Sequence, residues 1–255
     1  MAFDSHAHIN SKSCDNVSSI ITEINKDSAL DRVVNVGLDV DTSKEVIDIA
    51  KKNRKFLETV GIHPLYADDV FDIDDIFRLA SNASVVGIGE IGLDESKDNY
   101  DLQERFFIKQ IAIANILKLP VIIHASKNMT KKIISIFECR IRPQYGCVFH
   151  SFYPDLEDYK YLLAHGYYIS FSGFITKSNA KKSLVLLRQC DKDRFLVETD
   201  SPYIGVFPNN SESSKCSDIR TIIQRMGEVL DTSYSDVENM TCKNAESFYL
   251  KKRIR

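Results

Sequence analysis

The sequence predicts a single (β/α)8 barrel of the TIM type, with residues 1–255 as one domain. Three observations carry this reading. Short β-branched or apolar runs alternate with helical patterns, which argues a parallel sheet. Eight such runs fit within 255 residues, the size of a closed barrel. The first run is followed by "INSKSCDNV", without the glycine-rich phosphate loop that an open doubly wound sheet usually offers there.

The strands are expected in order at "AFDSHAH", "RVVNVG" (Arg32–Gly37), "FLETVGI" (Phe56–Ile62) and "SVVGIGEIG" (Ser84–Gly92). They continue with "PVIIHA" (Pro120–Ala125), "GCVFHS" (Gly146–Ser151), "YYISFSG" (Tyr167–Gly173) and "RFLVETD" (Arg194–Asp200). Helical spacing falls between them at Thr42–Asn53 and Leu102–Lys118, then in "MTKKIISIFE", "DLEDYKYLLAH" and "DIRTIIQRMGEVL". In the Leu102–Lys118 pattern Phe106, Ile113 and Leu117 share a face, with Ile116 beside them. No linker, low-complexity tract or second-domain boundary interrupts the series.

Composition bounds the function. The chain is 44% hydrophobic and 27% charged, as in ordinary globular proteins. No apolar run approaches the ~18 residues of a membrane span, and the N-terminus lacks a basic and apolar leader, so a cytoplasmic protein with no membrane partner is expected. A net charge of −3 advertises no nucleic-acid coat, so any such contact must come from a local patch. Six scattered cysteines without a CxxC pair read as free thiols.

In such barrels the active site lies at the C-terminal strand ends. Five of the six histidines fall there: His6 and His8, His63, His124 and His150, with only His165 late in a helix. Glu90, Glu198 and Asp200 join them. Strict alternation would place Asp4, His6 and His8 on one strand face, and three buried polar groups there need a partner. A pair of hydrogen-bonded core histidines has the same H-x-H spacing. The wider constellation instead points to divalent ions, since imidazoles and carboxylates suit Zn2+ and Mn2+ and carboxylates tolerate Mg2+. His6 and His8 would hold a first ion, Glu90 would bridge, and His124 and His150 would hold a second. Asp200 would bind metal and take a proton from the attacking water. The class is metal-assisted hydrolysis, with Glu90 and Asp200 as its catalytic pair.

The stretches "FDSHAHIN", "VGIHPLYA", "VGIGEIGLD", "LPVIIHAS", "VFHSFY", "ISFSGFITKSNA", "VETDSPY" and "TCKNAESF" resemble, in order, those of the TatD family of metal-dependent deoxyribonucleases. The resemblance runs from Phe3 to Phe248 and implies metal ligation by His6, His8, Glu90, His124, His150 and Asp200. It also implies hydrolysis of phosphodiesters in DNA, often exonucleolytic, with single strands or frayed ends as the expected substrate. The chain departs from the family in substrate-side loops. It has Ser126 and Lys127 where an arginine is frequent, "FHSFYPD" without a glycine after strand 6, and no Arg-Asn-x-Pro segment after "ETDSPY". Those departures leave open another bond, such as an aminoacyl-tRNA ester or a cyclic amide. A nuclease subunit of a larger assembly is a further alternative, for which an apolar outer face bearing Phe106 and Phe107 would be the sign.

Around this set, Asp4 would orient a ligand or fill the barrel floor. His63 would contact a phosphate or cap the loop before Pro64, and Asp94 would accept from a ligand or cap a helix. Glu198 would back a ligand or sit in a salt bridge within the barrel. Lys127, Lys177, Lys181 and Lys182 would give the rim a positive bias, or be solvated helix starts. Phe152, Tyr153, Tyr203 and Phe207 would stack on bases or pack loops. The "KKRIR" tail would be a solvated helix end or a nucleic-acid contact.

Overall fold

Each apolar run of the sequence becomes a strand buried on both faces, as a helix-covered parallel sheet requires. A computed structural model describes residues 1–250 except 11, 69–71, 154 and 210–211; the "KKRIR" tail lies outside them. The strands are β1 Ala2–Ala7, β2 Leu30–Val36, β3 Phe56–Val60 and β4 Val85–Leu93. They continue as β5 Val121–Ala125, β6 Cys147–Phe149, β7 Tyr168–Phe171 and β8 Phe195–Val197. All seven neighbouring pairs are parallel and in chain order. The seam closes just past β8, where Asp200 N donates to His6 O at 2.9 Å and His8 N donates to Ser201 O at 2.7 Å.

Helices α1 Val17–Lys26, α2 Val40–Lys52, α3 Ile73–Ala80, α4 Tyr100–Leu117, α5 Met129–Cys139, α6 Leu156–Ala164, α7 Lys181–Gln189 and α8 Ile219–Leu230 follow the strands. A ninth, α9 Tyr234–Tyr249, packs against β1 and β8. Local chemistry sets several starts. The Asp39 carboxylate accepts from Thr42 N while the Thr42 hydroxyl takes the Asp39 amide, satisfying two donors at the head of α2. In α4, Phe106 and Phe107 are both buried, and Phe107 stacks on Phe137 of α5. The expected apolar outer face is therefore absent from them; the large hydrophobic this helix exposes is Ile116, at 67%. Among the described residues no helix is long and apolar enough to cross a membrane.

The barrel floor is one apolar cluster. Phe3, Val34, Val86, Ile122, Val148, Tyr168 and Leu196 come from seven strands and meet Ala245, Phe248 and Tyr249 of α9. Only the barrel interior lets seven strands share one cluster. Tyr249 Oη donates to Ser5 O at 3.0 Å, fixing the plug.

This floor corrects the expected alternation of β1. Phe3 points inward, so Asp4 does not share the histidine face. The β1–β2 register breaks between Asp4 and Ala7, which re-phases the strand before His6 and His8. Asp4 instead accepts from Thr199 N at 2.9 Å and Thr199 Oγ1 at 2.6 Å, beside the Cys216 thiol. Burial pushes its carboxyl up to about 7, against the pull of those hydrogen bonds.

Candidate metal centre

Four atoms converge at the β1–β8 seam. His6 Nε2 and His8 Nε2 lie 2.9 Å apart. Glu90 Oε2 is 3.3 Å from the first and 3.2 Å from the second. Asp200 Oδ1 lies 3.9 and 3.6 Å from the same two nitrogens. Asp200 sits at φ 50°, a left-handed conformation costly for a residue with a Cβ. Its amide bond to His6 O and the Tyr203 N bond to its carbonyl hold it there.

The other oxygen of Glu90 meets a second group. Oε1 is 2.7 Å from His150 Nε2, 2.8 Å from His124 Nδ1 and 3.5 Å from His63 Nε2. Behind two of these imidazoles stand carboxylates. Asp94 Oδ2 is 2.7 Å from His124 Nε2, and Glu198 Oε1 is 3.3 Å from His150 Nδ1. Glu198 is itself held by Ser170 Oγ at 2.7 Å and Ser151 N at 2.7 Å. Such partners orient imidazoles and raise their basicity.

The electrostatics are those of a site shaped for cations. Burial alone would raise Glu90, yet the imidazoles of His150, His63 and His124 hold it well below the usual carboxylate range. Burial lowers His6 to about 4, helped by the charge of His150. Burial would lower His150 too, but Glu90 and Glu198 drive it well above its ordinary value. Burial pushes Asp200 up to about 7 against the pull of His150 and His8. The His124 hydrogen bond, opposed by burial, holds Asp94 below its usual range.

Three ligand trios have donor atoms within 4.8 Å of one another: His6, Glu90, His150; His6, His8, Asp200; and His63, Glu90, His124. This set of buried imidazole nitrogens and carboxylate oxygens fits divalent ions. His6 Nδ1 is buried with no protein partner. The pocket above holds about 250 Å³ and is walled by Leu38, Leu65, Tyr66 and Tyr203. A larger cavity of about 350 Å³, between α1 and the Ser213–Ser217 segment, gathers no ligand trio among the described residues.

The structure thus brings together His6, His8, Glu90, His124, His150 and Asp200, with Asp94 and Glu198 behind them. Asp94 caps no helix. His63 Nδ1 accepts from Leu65 N at 3.1 Å, capping the turn that Pro64 opens, and its Nε2 faces the pocket. Lys127 is exposed, its Nζ 6.0 Å from the Tyr153 ring centroid. Lys181 and Lys182 instead line a separate groove with Leu156 and Val185. Phe152 is buried against Phe149, so it offers no rim surface, whereas Tyr153, Tyr203 and Phe207 are 41%, 44% and 61% exposed. His165 bonds the Tyr161 carbonyl at the end of α6, away from the site. Sequence reasoning missed Ser170; a serine inside a fully buried apolar strand was the available signal.

The comparisons agree with this geometry. The family model for TatD-related DNase matches residues 3–250. The metal-dependent hydrolase YabD of Bacillus subtilis is 29% identical over 98% of this chain and 99% of its own length. YcfH of Escherichia coli K12, also a metal-dependent hydrolase, is 30% identical over 94% of this chain and 92% of its own. The crystal structure of YjjV, a TatD homolog from Escherichia coli K12, shares the fold with a TM-score of 0.88 at 19% identity, covering 98% of both chains. The barrel and the match along residues 3–250 establish that the chain belongs to the TatD family of metal-dependent hydrolases.

Proposed function

We propose that this hydrolase cleaves phosphodiester bonds in DNA, working from single strands or frayed ends. The observation that carries the reading is Glu90, whose Oε2 faces His6 and His8 while its Oε1 faces His124 and His150. That arrangement suits two ions sharing one carboxylate, with His6, His8 and Asp200 on one side and His124 and His150 on the other. Zn2+, Mn2+ and Mg2+ all match the donor set. Two such ions would supply Lewis acidity toward a phosphoryl oxygen and lower the pKa of water.

The chain's own groups do the rest. Asp200 reaches the seam from above and is positioned to take a proton from attacking water. Asp94 and Glu198 keep His124 and His150 oriented through each turnover. The pocket volume of about 250 Å³ suits one nucleotide unit, and the exposed ring of Tyr203 beside His8 suits a splayed base. The six cysteines form no disulfide, which supports a reducing, cytoplasmic setting.

The test is metal analysis of the purified protein with a substrate panel. Single-stranded DNA labelled at either end, duplex DNA, RNA and aminoacyl-tRNA are compared, with Glu90→Ala as control. The expected result is DNA cleavage by the wild type and none by Glu90→Ala. Absence of phosphodiester cleavage with every divalent ion, or turnover of aminoacyl-tRNA alone, overturns the reading.

A further inference from the structure

A neutral imidazole carries one N–H and one lone pair, so the partner of one ring nitrogen fixes the role of the other. At His8, Nδ1 lies 2.9 Å from the Val36 carbonyl oxygen, which only accepts. Nδ1 therefore holds the proton and Nε2 offers its lone pair to the site. His124 and His150 repeat the logic against Asp94 and Glu198, leaving Nδ1 and Nε2 respectively free to ligate.

His63 is reversed. Its Nδ1 lies 3.1 Å from Leu65 N, and a backbone amide always donates. The local sequence enforces this contact. Pro64 opens a 3₁₀ turn over Pro64–Tyr66 without an N–H of its own, so Leu65 presents the first amide to be capped. His63 N donates to Leu38 O at 2.9 Å, and His63 O accepts from Tyr66 N at 2.9 Å, so the residue is fixed at both backbone ends. With Nδ1 accepting, the ring proton sits on Nε2. That nitrogen lies 3.5 Å from Glu90 Oε1, within the same cluster as His124, and faces the pocket.

We infer that His63, although it sits among the ligands, is no metal ligand but a hydrogen-bond donor that positions a phosphoryl oxygen of the substrate. The inference rests on the phosphodiester reading for its substrate, while the donor role follows from the tautomer. A ring that presents N–H cannot also present a lone pair to a cation at that atom. An anionic oxygen beside Glu90 is what such a donor serves, and in a water-poor site its hydrogen bond is strong.

Two substitutions separate the roles. His63→Asn keeps an oxygen able to cap Leu65 N but does not reach the pocket; His63→Gln reaches it and restores a donor. The expected result is an unchanged ion count in both, a kcat/KM loss of about 10²-fold for Asn and partial recovery for Gln. The decisive readout needs no activity. In protein loaded with 113Cd and labelled with 15N-histidine, metal–nitrogen coupling should appear at His6, His8, His124 and His150 and be absent at His63. The His63 Nε2–H signal should also shift when inorganic phosphate is added. Coupling at His63 Nε2, loss of an ion in His63→Asn, or a phosphate titration that leaves the signal unmoved overturns the inference. If DNA is not cleaved yet the coupling pattern and phosphate shift hold, the DNA reading fails and the donor assignment stands.

Discussion

On the β1–β8 side of Glu90 the imidazole rings lean on backbone or on nothing, whereas on the β5–β6 side each leans on a carboxylate. His8 is held by the Val36 carbonyl and His6 Nδ1 has no partner, while Asp94 stands behind His124 and Glu198 behind His150. The two sides also differ in access. The side chains of His6 and His8 are 1% and 2% exposed, that of His124 20%. The seam side is rigid because it is also where the barrel closes, through bonds to the main chain of His6 and His8. The open side owes its order to side-chain charge. A cation should therefore be held by enclosure on one side and by tuned basicity on the other.

Glu90 joins the two sides, so its loss should have the largest effect. Glu90→Gln removes the charge that faces both clusters and should abolish binding of both ions. Activity should fall by more than the roughly 10²–10³-fold typical of one lost electrostatic donor. Atomic emission measurement of bound metal checks this. Retention of one ion at full occupancy would show that the sides are independent.

The next effect is asymmetric. Asp94→Asn and Glu198→Gln each remove a charge behind the open side only, and should weaken one ion by about 10–100-fold while leaving the other. Competition with a chelator, followed by metal counting, separates the two affinities. Equal weakening of both ions in either variant would break the comparison.

Proton linkage sharpens it further. Ion binding needs neutral imidazoles and ionised carboxylates. In the ion-free site His150 is held well above its ordinary value and Asp200 rises to about 7, so both carry protons that a cation must displace. Metal affinity should therefore fall as pH drops through neutral, with protons released on binding. His6, lowered to about 4, is already neutral and contributes no such release. His8 on the seam side and His124 on the open side are raised as well, so each side contributes protons to the release. Calorimetry in buffers of different ionisation enthalpy measures this, and binding without proton release at pH 7 would contradict it.

Much of this constellation was legible in the sequence, and the limits of that legibility are physical. Strand ends were visible because apolar runs stop where polar ligands begin, so His124, His150, Glu90 and Asp200 could be placed together. Asp94 and Glu198 could be named as supports because each lies within a few residues of a strand end. Asp4 was misplaced because period-2 alternation cannot foresee a register break, which depends on the pairing partner. Phe106 and Phe107 looked like an outer pair, but adjacent helix positions both face inward where α4 lies between β4 and its neighbour helices. Phe248 and Tyr249 gave no sign of plugging the floor, since that depends on where the last helix docks. The tautomer of His63 was out of reach for the same reason: it hangs on one amide's direction.

The smallest effect concerns the rim. Lys127 follows β5 on the open side, its ammonium near the exposed Tyr153 ring. A single ammenable contact of this kind adds one counterion's worth of salt dependence, and for a single strand each neutralised phosphate contributes a log–log slope of about 0.7. Lys127→Ala should therefore raise KM a few-fold at low salt, flatten the slope by about that amount and become indistinguishable from wild type at high salt. Lys215 lies on the opposite side, lining the cavity beside α1, and supplies the control. Lys215→Ala should leave the slope unchanged. Identical slopes for Lys127→Ala and wild type would remove the rim from substrate binding, and a flattened slope for Lys215→Ala would show that the strand crosses the seam side instead. In either case the open side would keep its carboxylate-backed ligands but lose its claim to be the side on which the substrate enters.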